Sequence, residues 1–355
     1  MLQGETMISI VGNILAHLLV LSTALFVATA PVGAEQPPSV RNLSEWLFTG
    51  DNFDGTFLQL TVAHRTWSQA QWRGELENLR KLGFDTLVLQ WSVYDDVSFT
   101  DDGGAGPSTV ERILAAADEV GLDCYIGLSM RASWWKPHEI TDQFLQAELA
   151  QNIDTARRLY PRVEHFRTFQ GWYIPHEVTD LISNDDQRES IIGFFSKLTE
   201  ALKKINSLKS ILASGYTDPQ QANLVRFVLW WSEFLDRAGI DVLIFQDGAG
   251  VRGKNWRAIL PFVEAMTILD ENFAGDVWLL GEAFDQIHGP PIDDQPFEAR
   301  PANLERLREQ LEALGPFRRK LMVFSYFDYM RPGVSANATQ LFEAYQQLIE
   351  KKASE

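Results

Sequence analysis

The chain has 355 residues, with 31 basic against 48 acidic side chains, 45% apolar and 12% aromatic residues, and a single cysteine, Cys124. That size and apolar content supply a large core and exclude wholesale disorder, while a net charge of −17 with no run of Lys or Arg excludes nucleic acid as a partner. One cysteine makes neither an intrachain disulfide nor a thiolate metal cluster, so Cys124 reads as a small buried apolar residue.

Residues 7–30 are almost wholly apolar and lead to Val32, Gly33 and Ala34, small residues that suit a signal peptidase, with Pro37 and Pro38 just beyond. The expectation is a signal peptide over 1–34, cut after Ala34, and a periplasmic or secreted bacterial protein. The n-region has no Lys or Arg, so an uncleaved membrane anchor is the alternative, and no other contact with a membrane is expected. A lead-in over 35–54 then precedes the first strand.

From there, short apolar runs alternate with segments of helical period to the end of the chain. Strands are predicted over 56–60, 86–91, 124–129, 171–177, 210–214, 242–247, 277–282 and 321–326. Helices are predicted to start near Ser68, Ser108, Ile140, Arg188, Pro219, Trp256, Asn303 and Asn337, with Ser68 and Ser108 as N-caps. Residues 288–294 read as a loop after the seventh strand. Eight strand-then-helix units over 55–350 predict an α/β chain forming one (β/α)8 TIM barrel, expected to be a monomer. An open doubly wound sheet is the alternative, but no GxGxxG or GxxxxGK[ST] follows any strand.

A TIM barrel places its site at the carboxyl ends of the strands. The polar and aromatic residues predicted there are Gln59, His64, Gln90, Trp91, Tyr94, Asp95, Arg131, Trp134, Trp135, Tyr173, His176, Glu177, Tyr216, Gln246, Asp247, Glu282, Tyr326 and Asp328. No HxH pair stands on the first strand and no helix has an i, i+4 His pair, so neither metal nor cofactor is expected; a cluster of His64, His176 and Asp247 in the fold would revive a metal. Glu177 ends Gly171-Trp172-Tyr173-Ile174-Pro175-His176-Glu177, and Glu282 ends Val277-Trp278-Leu279-Leu280-Gly281-Glu282. Two carboxylates across a barrel mouth can divide the acid and nucleophile roles of glycosidic bond cleavage. Flat aromatics such as Trp91, Trp134 and Trp135 suit pyranose faces, and amides such as Gln59 and Gln90 suit the hydroxyls, which points to a polysaccharide or oligosaccharide. Trp230 and Trp231 are read as packing residues.

A barrel with Glu at the ends of strands 4 and 7 resembles the large clan of retaining glycoside hydrolases. That resemblance implies Glu177 as acid/base and Glu282 as nucleophile. The segments Gly55-Thr56-Phe57-Leu58-Gln59-Leu60, Leu87-Val88-Leu89-Gln90-Trp91-Ser92-Val93-Tyr94, Gly171–Glu177 and Gln246-Asp247-Gly248 look more closely like a family of uncharacterised bacterial proteins, a domain of unknown function among glycosidase-like barrels. The residue before the clan's strand-4 acid is usually Asn, and here it is His176; strand 6 ends in Gln246-Asp247 where the clan often has Tyr. Asp247 is therefore kept as a third catalytic candidate. The leading expectation is an exported, endo-acting, retaining glycoside hydrolase. The alternative is a non-catalytic polysaccharide-binding protein of an exopolysaccharide export or biofilm system.

Overall fold

The computed structural model describes residues 52–103, 106–290 and 292–352. The expected signal segment 1–34 and nearly all of the lead-in lie outside them. Eight parallel strands close into a barrel: β1 (Gly55–Leu58), β2 (Thr86–Leu89), β3 (Asp123–Gly127), β4 (Phe169–Thr179), β5 (Ser210–Tyr216), β6 (Val242–Gln246), β7 (Asp276–Glu282) and β8 (Leu321–Phe324), each beside its neighbours in chain order and β8 beside β1. The helices are α1 (Gln69–Lys81), α2 (Thr109–Val120), α3 (Asp142–Val163), α4 (Asp185–Ile205), α5 (Leu224–Arg237), α6 (Leu260–Asp270), α7 (Leu304–Leu314) and α8 (Ala336–Lys352). The chain is thus a single (β/α)8 barrel.

Its continuous apolar strands are explained by burial on both faces. Alternate residues Phe57, Val88, Tyr173, Leu212, Ile244, Trp278, Leu280 and Met322 fill the barrel, while Leu87, Leu89, Ile126, Trp172 and Leu243 face the helices. The helices answer with their own apolar stripes, Trp72, Leu76 and Leu79 on α1 and Trp230, Trp231 and Phe234 on α5. Each such side chain contributes about 1.5–3 kcal/mol by leaving water. The predicted caps form: Ser68 and Ser108 accept the N–H of Gln71 and Glu111, three residues on.

Three departures follow from local chemistry. β4 runs two residues past Glu177 rather than ending there. β8 stops at Phe324 and the chain turns at once into a π-helical turn, Tyr326–Met330, capped by Ser325. The expected loop after β7 is part of an antiparallel hairpin of Phe284–His288 with Glu298–Pro301. Beside the mouth, Val93–Tyr94 pairs with Val97–Ser98 and with Ser129–Met130, which raises a small wall over β2 and β3.

Candidate active site

The inward face of β4 rises from Tyr173, whose hydroxyl meets the Ser214 hydroxyl of β5 at 2.7 Å, to Glu177 at the mouth. Pro175 lies between them without an N–H to give, and the register with β5 breaks between Ile174 and Val178. Glu177 is half-buried and hydrogen-bonds the amide of Gln246, which ends β6. Burial pushes its carboxyl up from the ordinary 4.5 to about 7, and the Gln246 bond opposes that rise. Tyr216, at the end of β5, has its phenol raised to about 12 by burial and by the charges of Glu177 and Asp180.

Glu282 ends β7 two residues after inward-facing Leu280 and is 6% exposed. One of its oxygens accepts the backbone N–H groups of Gly250 at 2.6 Å and Val251 at 3.3 Å. Those two residues lie in the short helix Ala249–Arg252, entered through Gly248 at φ 60°, a left-handed turn that glycine makes without strain. Gly250 has no room for a side chain, because a Cβ there would lie 2.4 Å from the Phe284 carbonyl oxygen. Burial and then the neighbouring Asp247 raise Glu282 to about 7, while the Gly250 N–H, Arg252 and Arg306 pull it down.

Asp247 follows inward-facing Gln246 and so turns outward. It is 1% exposed, and it accepts the Ala249 N–H at 3.0 Å and the Gln310 amide of α7 at 2.6 Å. Burial raises its carboxyl as well. Around it, Arg252 donates to the Asp247 carbonyl at 2.7 Å, and Arg306 donates to the carbonyls of Glu282 at 2.9 Å and Phe284 at 2.6 Å. Both guanidinium groups thus brace the backbone around Glu282.

The other predicted residues divide into two sets. Gln59 and Gln90 directly follow β1 and β2, and the side-chain Oε1 of Gln90 is buried without a hydrogen-bond partner. Trp91 packs on Tyr94 with ring centroids 4.5 Å apart and donates to the Leu60 carbonyl at 2.9 Å. Tyr94 hydrogen-bonds Trp135, which is 45% exposed on the rim. Trp134 is buried and donates its indole N–H to the Glu177 carbonyl at 3.1 Å.

His176, Tyr326 and His64 belong to packing instead. His176 is fully buried on the outer face of β4, 2.8 Å from Glu148 of α3. Tyr326 is fully buried too and donates to Glu75 of α1 at 2.8 Å, because the turn after Phe324 carries it away from the barrel axis. His64 accepts the Thr61 N–H at 3.0 Å and packs on Trp67 and Trp72, and burial together with Arg331 lowers its pKa to about 4. His64, His176 and Asp247 therefore do not meet, and among the described residues no three His, Cys, Asp or Glu side chains form a metal-binding group.

Sequence reasoning missed Glu148, Gln310, Arg306 and Tyr329. Tyr329 packs 5.1 Å from Phe284, and its phenol is raised by burial, by Asp328 and by the nearby Glu282. None of the four ends a barrel strand, so strand-end position carries no signal for them.

A family profile described as a domain of unknown function, DUF4434, matches residues 53–336, most of the chain. The chain belongs to the DUF4434 family. A curated relative, "Uncharacterized protein YbcH" of Escherichia coli K12, is 27% identical over 189 residues, which are 52% of this chain and 61% of that protein. Among solved structures, a "putative alpha-L-fucosidase" from Bacteroides thetaiotaomicron superposes with a TM-score of 0.69 at 21% identity, covering 84% of this chain and 95% of that one. An endo-1,4-beta-mannanase from Rhizomucor miehei superposes with a TM-score of 0.55 at 12% identity, covering 83% and 95%. These likenesses show that the DUF4434 barrel shares the fold of those proteins.

Proposed function

We propose that the protein is an exported glycoside hydrolase that cleaves a polysaccharide internally with retention, using Glu177 as acid/base and Glu282 as nucleophile. The observation that carries this reading is the pair of inward-facing carboxyls at the barrel mouth, Glu177 near the end of β4 and Glu282 at the end of β7, each raised by burial to about 7. A carboxyl that keeps its proton to neutral pH can protonate a leaving oxygen. Two of the similar barrels bear glycosidase names, and Tyr94 and the exposed Trp135, backed by the buried Trp91, offer aromatic faces to sugar rings. Export rests on the apolar stretch 7–30 and its small-residue end.

In the first step the Glu282 carboxylate attacks the anomeric carbon while Glu177 gives its proton to the glycosidic oxygen, whose bond to that carbon breaks. In the second, Glu177 takes a proton from water, the hydroxide oxygen bonds the anomeric carbon, and Glu282 leaves as carboxylate. The Gly250 and Val251 N–H groups favour the ionised nucleophile. Turnover needs Glu282 ionised and Glu177 protonated, and burial raises both carboxyls from 4.5 toward neutral pH, so kcat/KM should trace a bell near neutral pH.

The test is reducing-end release from a panel of bacterial exopolysaccharides and plant glucans by the wild type, Glu177→Gln and Glu282→Gln. Both substitutions should abolish release from natural polymers. With an activated leaving group, Glu177→Gln should recover part of the roughly 10² to 10⁴ in rate that acid catalysis supplies, and Glu282→Gln should recover none. Binding of a polymer without release by any of the three proteins would make this a polysaccharide-binding barrel instead.

A further inference from the structure

Behind Glu177 runs a chain of polar side chains, His176, Glu148 and Arg131, that the reaction itself does not use. His176 Nε2 lies 2.8 Å from one oxygen of Glu148, and Arg131 Nε lies 2.5 Å from the other. His176 and Glu148 are fully buried, while Arg131 reaches the surface and lays its guanidinium over the Phe144 ring at 5.6 Å. The three residues come from three elements: Arg131 from the loop after β3, Glu148 from α3 and His176 from β4.

The same elements are tied twice more. Asn152, one turn after Glu148, donates to the Glu148 carbonyl at 2.8 Å and accepts the Ser129 N–H at 3.0 Å. Trp134, three residues after Arg131, sets its ring against His176 at 4.8 Å and donates to the Glu177 carbonyl at 3.1 Å. Asp95, from the small wall, accepts the Ala132 N–H of the same loop at 2.9 Å. Buried ion pairs add little net stability over apolar packing, but removing one partner is severe, and their best-attested use is to fix one geometry. Here every tie ends on the loop carrying Trp134 or on the strand end carrying Glu177.

We infer that Glu148 is a positioning residue, which with Arg131 and His176 clamps the Trp134 loop onto the end of β4 and so sets the place and the water access of the Glu177 carboxyl. The inference rests on Glu177 as the acid/base, but its physical content can be measured without substrate. The test follows the Glu177 carboxyl through pH 4–9 by ¹³C NMR of glutamate-labelled protein, with the signal assigned by its loss in Glu177→Gln. Two variants are compared with wild type: Glu148→Gln, which keeps the shape and removes the charge, and Trp134→Phe, which keeps a smaller aromatic ring and removes the N–H. Circular dichroism checks that both fold.

The expected result is a Glu177 titration about one unit lower in both variants, as water enters behind the loosened loop. On any glycan that wild type cleaves, kcat should drop about tenfold or more with KM within twofold. Should Glu148→Gln fail to fold, Trp134→Phe alone carries the test. An unchanged Glu177 titration with kcat and KM both within twofold would overturn the positioning role. Absence of turnover by wild type would remove the acid/base reading instead, and the titration would still decide whether the clamp shapes Glu177.

Discussion

Replacing Glu177 by Gln should make the protein more stable at alkaline pH and leave it unchanged in acid. The folded chain holds this carboxyl at about 7 against an ordinary 4.5, with burial as the leading cause. The fold therefore favours the protonated form, and the wild type loses stability as pH rises from about 4.5 through about 7, becoming constant above that. At ~1.36 kcal/mol per pKa unit, the ionised carboxylate costs at most roughly 3 kcal/mol at pH 8. Glutamine has the shape of the protonated acid and can keep a hydrogen bond to Gln246, so most of that cost should vanish. For a barrel of this size the gain is a rise in Tm of roughly 5 °C at pH 8, shrinking to nothing near pH 4. Thermal melts of both proteins at half-unit intervals between those limits read the effect directly. Equal melting temperatures at pH 8, or a difference that does not change with pH, would refute the claim that burial holds Glu177 protonated.

Other perturbations reach the same machinery from different sides. Asp247→Asn removes the charge that follows burial in raising Glu282, so the pH limb governed by Glu282 should move to lower pH. It also sets an amide group against the Gln310 Nε2 donor at 2.6 Å, at a cost of about 1 kcal/mol that denaturant unfolding would measure. Gly250→Ala places a methyl 2.4 Å from the Phe284 carbonyl and must displace the N–H groups that hold Glu282. Steady-state kinetics should show a loss of kcat of about tenfold or more. Tyr326→Phe removes the hydrogen bond to Glu75 at 2.8 Å and should destabilise the fold by about 1 kcal/mol, with kcat/KM unchanged on any substrate the wild type turns over.

The barrel was legible because its physical cause is repeated eight times, as short apolar strands alternating with segments of helical period, with Ser68 and Ser108 marking two of the helix starts. What the residue order showed less well is which side of a strand end each side chain takes. Reading Gln246 and Asp247, or His176 and Glu177, as joint members of one mouth asks adjacent strand residues to point the same way, which a period of two forbids. Gln246 and Glu177 meet inside, so Asp247 turns to Gln310 and His176 to Glu148. Tyr326 fails for a different reason. Counting by twos from Phe324 aims it inward, but the strand ends at Phe324 and the turn capped by Ser325 reverses the direction. Glu148 is the hardest case, an acid inside a helix, and nothing in its own turn shows that it is buried until α3 is laid against β4. Its partners lie 17 residues before it and 28 after, so only the packed barrel brings an Arg and a His to the same carboxylate. The inward residues of such a barrel follow from period and strand length. The residues that steady them are set by helix packing, which is why the carboxylates of the mouth were found in the sequence and the side chains that hold them were not.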